Sequence, residues 1–406
     1  MDRFSTQEAG EVWLYGAGYD YEGGSLLNPA GKLFNQPNGQ YSAETRLQWS
    51  ARSDVVDATV RGRALEQYTN GTSESGSSHD IYLSQAWVRA KLPADVSATG
   101  GRMLLTWGPG NFRSPSNPYY FDAGKTQPMR ELSGIDGVSA SWSSQRVVAT
   151  VAHLFGSGHV TGTQGENFNG AQTGTTDFDG NTLLKIDLSK ADLSGSVVLS
   201  QQPGLGTYWG GYATWTLDDA WMIYGEWGNG RRPYALSIPN TQPSAFSVTS
   251  PSSRQSDALI GATYTLLSGQ TLSLEYLYDG HGLSGSEEEK YFAVLANSNA
   301  LIGRYGAGLA MQAAGQALTG SPVLLGRHYA SFTAQSGIGD TKTLWKATWT
   351  MNMTDHSTQF IAYVERNLAA RWSVFASATL NTGSKSTEFP ALGRGNLMAG
   401  LKFFLF

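Results

Sequence analysis

"ETRLQWSARSDVVDATVRGRA" runs from Glu44 to Ala64, and its alternation decides the fold. Polar Glu44, Arg46, Gln48, Ser50 and Arg52 interleave with Thr45, Leu47, Trp49 and Ala51. After the tight break "RSD", Asp57, Thr59, Arg61 and Arg63 interleave with Val56, Ala58, Val60 and Gly62. A period of two places the polar set on one strand face and the apolar set on the other. Two such runs around a tight break read as an antiparallel hairpin with one apolar and one polar face.

The same period recurs in "LLKIDL", "MIYGEWG", "TLSLEYLYD", "TLWKATWTMN" and "TQFIAYVER". Further tight breaks are "LPAD", "SSQ", "LSKAD", "LDDA", "LSGQ", "SGIGD" and "NLAAR". Longer segments near residues 22–40, 69–78, 108–130, 156–178, 230–255 and 280–324 nearly alternate with them, while "QQPGLG" and "MTDHS" are short outer links. Strand centres fall near residues 16, 46, 60, 85, 101, 138, 150, 184, 196, 212, 224, 261, 274, 330, 347, 361, 375 and 400. Short turns at one end and long loops at the other are the pattern of a transmembrane β-barrel. The expectation is an all-β, antiparallel up-and-down barrel of about 18 strands, within 16–20, with short periplasmic turns and long extracellular loops. An even count puts both termini at the short-turn end. Residues 1–9 read as a periplasmic N-terminal segment and residues 10–406 as a single barrel domain.

Composition agrees. Charged residues are 15% of the chain, Gly numbers 49 and aromatics are 12%. Soluble domains carry about 25% charged residues. A soluble strand would also carry Lys and Glu on its outer face, where these polar faces carry Ser, Thr, Gln and Gly. No repeat of about 40–50 residues marks a propeller. The net charge of -5 excludes the basic profile of a nucleic-acid binder. With no cysteine there is no disulfide scaffold, Cys-rich zinc site, thiol nucleophile or covalent haem attachment. No apolar run is long enough for a transmembrane helix, and "MDRFSTQEAGEVW" does not read as a signal peptide. Trp13, Tyr15, Tyr19, Trp49, Tyr82, Trp142, Trp221, Trp227, Trp345, Trp349 and Trp372 are expected in the aromatic girdles at the two membrane interfaces.

The chain closes on "LKFFLF", Leu401–Phe406. This tail resembles the terminal strand of Gram-negative outer-membrane β-barrel proteins. The resemblance implies that Phe404 and Phe406 serve as an assembly signal for the barrel-assembly machinery, and that the chain sits in the bacterial outer membrane among lipid and lipopolysaccharide. Lys402 departs from the pattern, because the corresponding position is usually apolar.

With apolar faces toward lipid, the polar faces line the pore. On the first strands these are Glu44, Arg46, Arg52, Asp57, Arg61, Arg63, Arg89, Lys91 and Arg102, a predominantly basic wall. Later strands offer Glu226, Glu275, Asp279 and Glu365, with Lys185, Lys346 and Arg371 among them. Such walls bias which ions pass. The proline-rich segment Thr106–Gly134 is too long for a simple turn and is expected to fold inward as a constriction. Arg113, Asp122, Lys125, Arg130 and Glu131 would shape that constriction, with Tyr119 and Tyr120 as surfaces for stacking sugars. Residues 287–320 lose the period of two, and "GLAMQAAGQAL" reads as a short helix. Gly101, Arg102, Trp107, Gly108, Asn117, Pro118, Arg130 and Glu131 resemble a motif of some outer-membrane channel families, including barrels related to the alginate exporter. That resemblance implies an 18-stranded barrel with a basic lumen for an acidic polymer, although this chain is less densely charged.

The function read from these features is a porin-like channel for passive passage of small, anionic or polyhydroxylated solutes, with no cofactor, no metal and no catalytic residues. One rival is a barrel that sheathes a partner protein in its lumen, such as a multihaem cytochrome. Another is a barrel enzyme. Among His79, His153, His159, His281, His328 and His356 no spacing converges on an acid, and there is no G-x-S-x-G. A transporter with an N-terminal plug is disfavoured by a first strand near residue 10.

Overall fold

Each alternating run forms a strand. The computed structural model describes residues 1–406 apart from 1–3, 22–24, 32, 34, 72–74, 122–124, 127, 156, 159–175, 239–244, 321–323, 338, 340–341 and 392. Its strands are β1 (Ser5–Tyr21), β2 (Pro37–Arg52), β3 (Val56–Gly71), β4 (Ser75–Leu92), β5 (Val96–Met103), β6 (Ile135–Ser143), β7 (Val147–Leu154), β8 (Thr182–Lys190) and β9 (Leu193–Gln202). They continue with β10 (Gly206–Thr216), β11 (Trp221–Gly230), β12 (Gln255–Thr265), β13 (Thr271–Asp279), β14 (His328–Gln335), β15 (Thr343–Asn352), β16 (Thr358–Ala369), β17 (Trp372–Thr382) and β18 (Gly393–Phe404). Neighbours in sequence pair antiparallel, and β18 returns to β1 from Glu11↔Phe404 to Tyr21↔Gly393. The result is a closed 18-stranded barrel, with no free sheet edge to cap.

All the expected strand centres fall inside strands, and each tight break is a turn at one end of the barrel. Two boundaries differ. Residues 69–71 and 75–78 belong to strands, paired as far as Asn70↔Ser75, because Ser and Thr side chains can extend a hairpin into water. β1 begins at Ser5, and Ser5–Ala9 pair with Gln48–Arg52.

Register separates the two faces. Leu47, Val60, Val88, Val197, Ile260, Leu274 and Leu397 are exposed on the outer surface, as are Trp49, Trp142, Trp221, Trp227, Trp349 and Trp372. Trp13, Tyr15, Tyr19 and Tyr82 lie instead on the inner face, in register with or beside Glu44, Ser42, Gln40 and Arg63. Polar neighbours hold them there: the Trp13 indole donates to Glu11 at 2.7 Å and lies 4.0 Å under the Arg46 guanidinium. Lys402, in register with Trp13, also points inward and donates to Tyr363 at 2.9 Å and to Glu365. The tail's unusual lysine is therefore a lumen residue.

The β13–β14 connection carries three helices, α1 (Gly285–Ala300), α2 (Ile302–Tyr305) and α3 (Gly308–Gly320). Ser284 and Glu287 form a capping box at the start of α1. One apolar cluster joins Tyr291, Phe292, Val294, Leu295, Ala313 and Ala317 of these helices to Leu27, Phe246 and Ala391 from three other long connections. β1 and β11, which lead into two of those connections, stand on opposite sides of the 18-stranded ring. A cluster fed from both sides must cross the axis, so the helices roof the outer mouth.

Candidate functional site: the barrel lumen

The β5–β6 connection crosses the lumen. Its sequence "WGPGNFRSPSNP", from Trp107, gives a tight path rich in free backbone N–H groups, and two buried carboxylates on the far wall collect them. Glu226 of β11 accepts Gly110 N at 2.7 Å, Ser116 N at 3.3 Å, and the hydroxyls of Ser114 and Ser116 at 2.8 and 2.7 Å. Glu275 of β13 accepts Asn111 N at 2.6 Å, Phe112 N at 2.7 Å and the Tyr224 hydroxyl at 2.7 Å. Gly108 takes φ +94, and a Cβ there would meet the Glu226 carboxylate at 2.6 Å, so only glycine fits.

The returning limb docks on the near wall. Glu131 accepts Ser84 Oγ at 2.6 Å and Arg61 at 2.9 Å, while Met129 O accepts Arg46 Nη2 at 2.8 Å. Lys125 donates to Gly108 O and Gly110 O at 2.9 and 2.8 Å. Lys346 of β15 donates to the Lys125 carbonyl. The loop is thus tied to β2–β4, β11, β13 and β15 at once.

The wall residues form two groups. Around the loop, Glu44 is held by Arg46 and Arg63, the latter with Nε at 2.5 Å. Toward the short-turn end, Lys91 pairs with Asp57 at 2.8 Å, and Arg89 bonds Thr99 and lies 5.2 Å from the Trp87 ring. Arg52 lies in register with Asp57 and is exposed. Arg102 sits apart: its register partners are Ala86 and Asp136, on the face opposite Thr99 and Gly101. It grips Asp136 at 2.8 and 2.7 Å and the Leu83 carbonyl at 3.1 Å, filling the wall where β5 ends.

The constriction residues also sort. Arg113 is half-buried over Phe112 at 4.5 Å, and Arg130 is half-buried. Asp122 lies outside the described residues. Tyr119 and Tyr120 are 0% exposed, so neither offers a ring to a sugar. They form the apolar seam between loop and wall with Ile135, Leu154, Leu183 and Val198, and bond Ser200 at 2.9 Å and Ser133 O at 2.5 Å. Among the described residues forming the loop or contacting it, the cations Arg46, Arg61, Arg113, Lys125, Arg130, Lys185, Arg232 and Lys346 stand against the carboxylates Glu131, Glu226 and Glu275.

One grouping was hidden from spacing. Asp257, Asp279 and His281 bring ligand atoms within 4.8 Å of one another. The pairing of β12 with β13 makes it, Asp257 being opposite Asp279. Arg232 places its guanidinium 3.0 Å from Asp279 and 3.6 Å from Asp257, which supplies the positive charge a metal would bring.

Comparison with known proteins bears on the fold. The chain is similar to Acinetobacter baumannii OccAB1, with TM-score 0.59 and 9% identity, covering 99% of this chain and 97% of that one. It is similar to OccAB4 of the same organism, with TM-score 0.56 and 8% identity over 98% of both chains, and to OccAB3, with TM-score 0.52 and 8% identity over 99% of both. No protein-family model matches the chain, and no curated protein matches it by sequence. The likeness is one of fold, a closed antiparallel β-barrel.

Proposed function

We propose that the protein is an outer-membrane channel for passive passage of small anionic or polyhydroxylated solutes. The observation that carries this is the loop tied across the lumen within a surplus of cations. A sheath for a folded partner needs that space open, and here the Glu226 and Glu275 anchors hold it filled. The structural neighbours are porins rather than enzymes, in keeping with a channel. Lys125 and Lys346 meet at the loop from opposite elements and would concentrate positive potential where the loop crosses the lumen. In the same reading, Phe406, 72% exposed at the end of β18, and Phe404 before it are the residues that the barrel-assembly machinery would recognise. The surrounding partners would be outer-membrane lipid and lipopolysaccharide.

The test is conductance of the refolded protein in a planar bilayer, with the reversal potential under a KCl gradient. Anion preference in the wild type, turned toward cations by Lys125→Glu with Lys346→Glu, supports the reading. A well-folded barrel that conducts nothing at any pH overturns it.

A further inference from the structure

The helical roof meets the barrel rim through two glutamates, one of which lacks what its burial demands. Glu288 of α1 is 3% exposed. Its Oε1 accepts Asn352 Nδ2 at 3.1 Å, and its Oε2 is buried with no hydrogen-bond partner among the described residues. Glu388, in the β17–β18 connection, accepts the same Asn352 amide at 2.8 Å, the Tyr329 hydroxyl at 2.5 Å and Leu325 N at 2.8 Å. Asp355, in the β15–β16 turn, accepts Glu388 N at 2.6 Å. Three acids from three connections therefore stand together, Glu288 and Glu388 on one amide and Asp355 beside Glu388.

The charged groups on every adjoining element fail to neutralise them. On α1 itself Glu287 faces away, bonding Ser284 and pairing with Arg327 at 3.1 Å, and Lys290 is exposed. Arg327 is further held by Gly282 O at 2.8 Å. His356 and Lys385, on the two rim connections, are exposed. Tyr329 is the remaining titratable group at the contact. Neither Glu288 nor Glu388 forms a salt bridge with a cation among the described residues. With one donor for Glu288, three for Glu388 and a cation for neither, one proton held between the two acids is favoured over two adjacent buried charges.

The geometry points to a proton-held lid: the α1–α3 roof stays docked on the rim while Glu288 and Glu388 retain a proton between them, and it lifts when both ionise. Burial, and then the charges of Asp355 and Glu388, pushes Glu288 up to about 8. Burial, with Asp355, pushes Glu388 up to about 7. Both lie above the usual carboxylate range, so the docked state binds more protons than the released one. Docking is favoured by acid, weakens as pH rises above the usual carboxylate range, and levels off above about 8. One coupled proton changes the docked-to-released ratio by at most about tenfold per pH unit. The chain enters and leaves the roof side by side, where Leu283 bridges to Gly326.

The lid's effect on permeation rests on the channel reading, but its movement does not, and the test separates them. Hydrogen exchange of α1 and α3 amides, corrected for intrinsic rates, is followed from pH 5 to pH 9 beside single-channel conductance. The expected result is tenfold or greater loss of protection in these helices by pH 9, with barrel strands unchanged and open probability rising in parallel. Glu288→Gln, isosteric and uncharged, should hold the helices protected at pH 9, and Glu388→Gln should do so in part. Equal protection at both pH values in the wild type, or an unchanged pH response in both variants, overturns the lid. Loss of conductance with the exchange pattern intact would overturn the channel and leave the lid standing.

Discussion

Two insertions enter the same barrel, and each meets it at a pair of glutamates. The β5–β6 loop is fastened by Glu226 and Glu275, which between them accept seven hydrogen bonds from backbone, serine and tyrosine donors. The helical roof meets the rim at Glu288, which accepts one bond from Asn352 and leaves its other oxygen without a partner among the described residues, beside Glu388, which accepts three. Glu288 is as buried as the two loop anchors, and its donor supply is what differs. A carboxylate surrounded by N–H and O–H groups is stable as an anion and acts as a permanent staple. One without them is stable only as an acid, and becomes a switch.

The hardest way to break this comparison is to remove the staple. Glu226→Ala with Glu275→Ala leaves the N–H groups of Gly110, Asn111 and Phe112 buried without partners. Each charge-assisted contact of this kind is worth about 1.5–3 kcal/mol, so the double variant should lose a large part of its resistance to denaturant. The freed loop should raise single-channel conductance severalfold. Destabilisation with unchanged conductance would show that the loop fastens the barrel without narrowing it.

Much of this was legible in the sequence, and the missing part has a physical character. Alternation located every barrel strand, because lipid outside and water inside impose opposite demands on neighbouring residues. It also put Glu226 and Glu275 on the inner face. It could not supply their partners, since Gly110 and Glu226 are 116 residues apart and meet only because the barrel closes. The same closure brings Asp257, Asp279 and His281 together. Aromatic faces were misjudged where a polar lumen accepts aromatic rings as readily as a membrane interface does, as at Trp13 and Tyr82. Helix α1 escaped notice because "EEEKYFAVLANSNA" has little amphipathic contrast, although Ser284 and Glu287 at capping-box spacing were a usable signal.

Smaller changes sharpen the distinction between lumen and wall. Arg61 reaches Glu131 from a side chain about one-third exposed, whereas Arg102 is turned away and held by Asp136. Arg61→Gln should lower anion selectivity measured by reversal potential, while Arg102→Gln should leave selectivity unchanged and lower only stability. Equal shifts from both would mean that the field is set by total charge and not by which face carries it.

On the switch side, Gly326 lies against the crowded amide, and a Cβ there would meet Glu288 Oε1 at 2.5 Å and Asn352 Nδ2 at 2.7 Å. Gly326→Ala should push α1 off the rim and shift the exchange midpoint of the roof to lower pH, by about one unit for each 1.4 kcal/mol of lost docking. The barrel strands should keep their protection. A midpoint that does not move would mean that the roof is held by its apolar cluster alone.

The smallest effect belongs to Tyr119→Phe, and it separates two roles for an aromatic in a channel loop. The ring is fully buried in the seam against Phe178, Leu183 and Val198, and only its hydroxyl has a specific task, the 2.9 Å bond to Ser200. Removing that hydroxyl should cost about 1 kcal/mol, the net worth of an ordinary buried hydrogen bond. Conductance, selectivity and any block by added sugar should remain as in the wild type, because no face of the ring meets the passage. A loss of sugar block without loss of stability would place Tyr119 in the lumen and require the loop to move during permeation. The expected result, a small loss of stability and no change in transport, would mean that the tyrosines hold the loop to the wall and leave contact with solute to the cations.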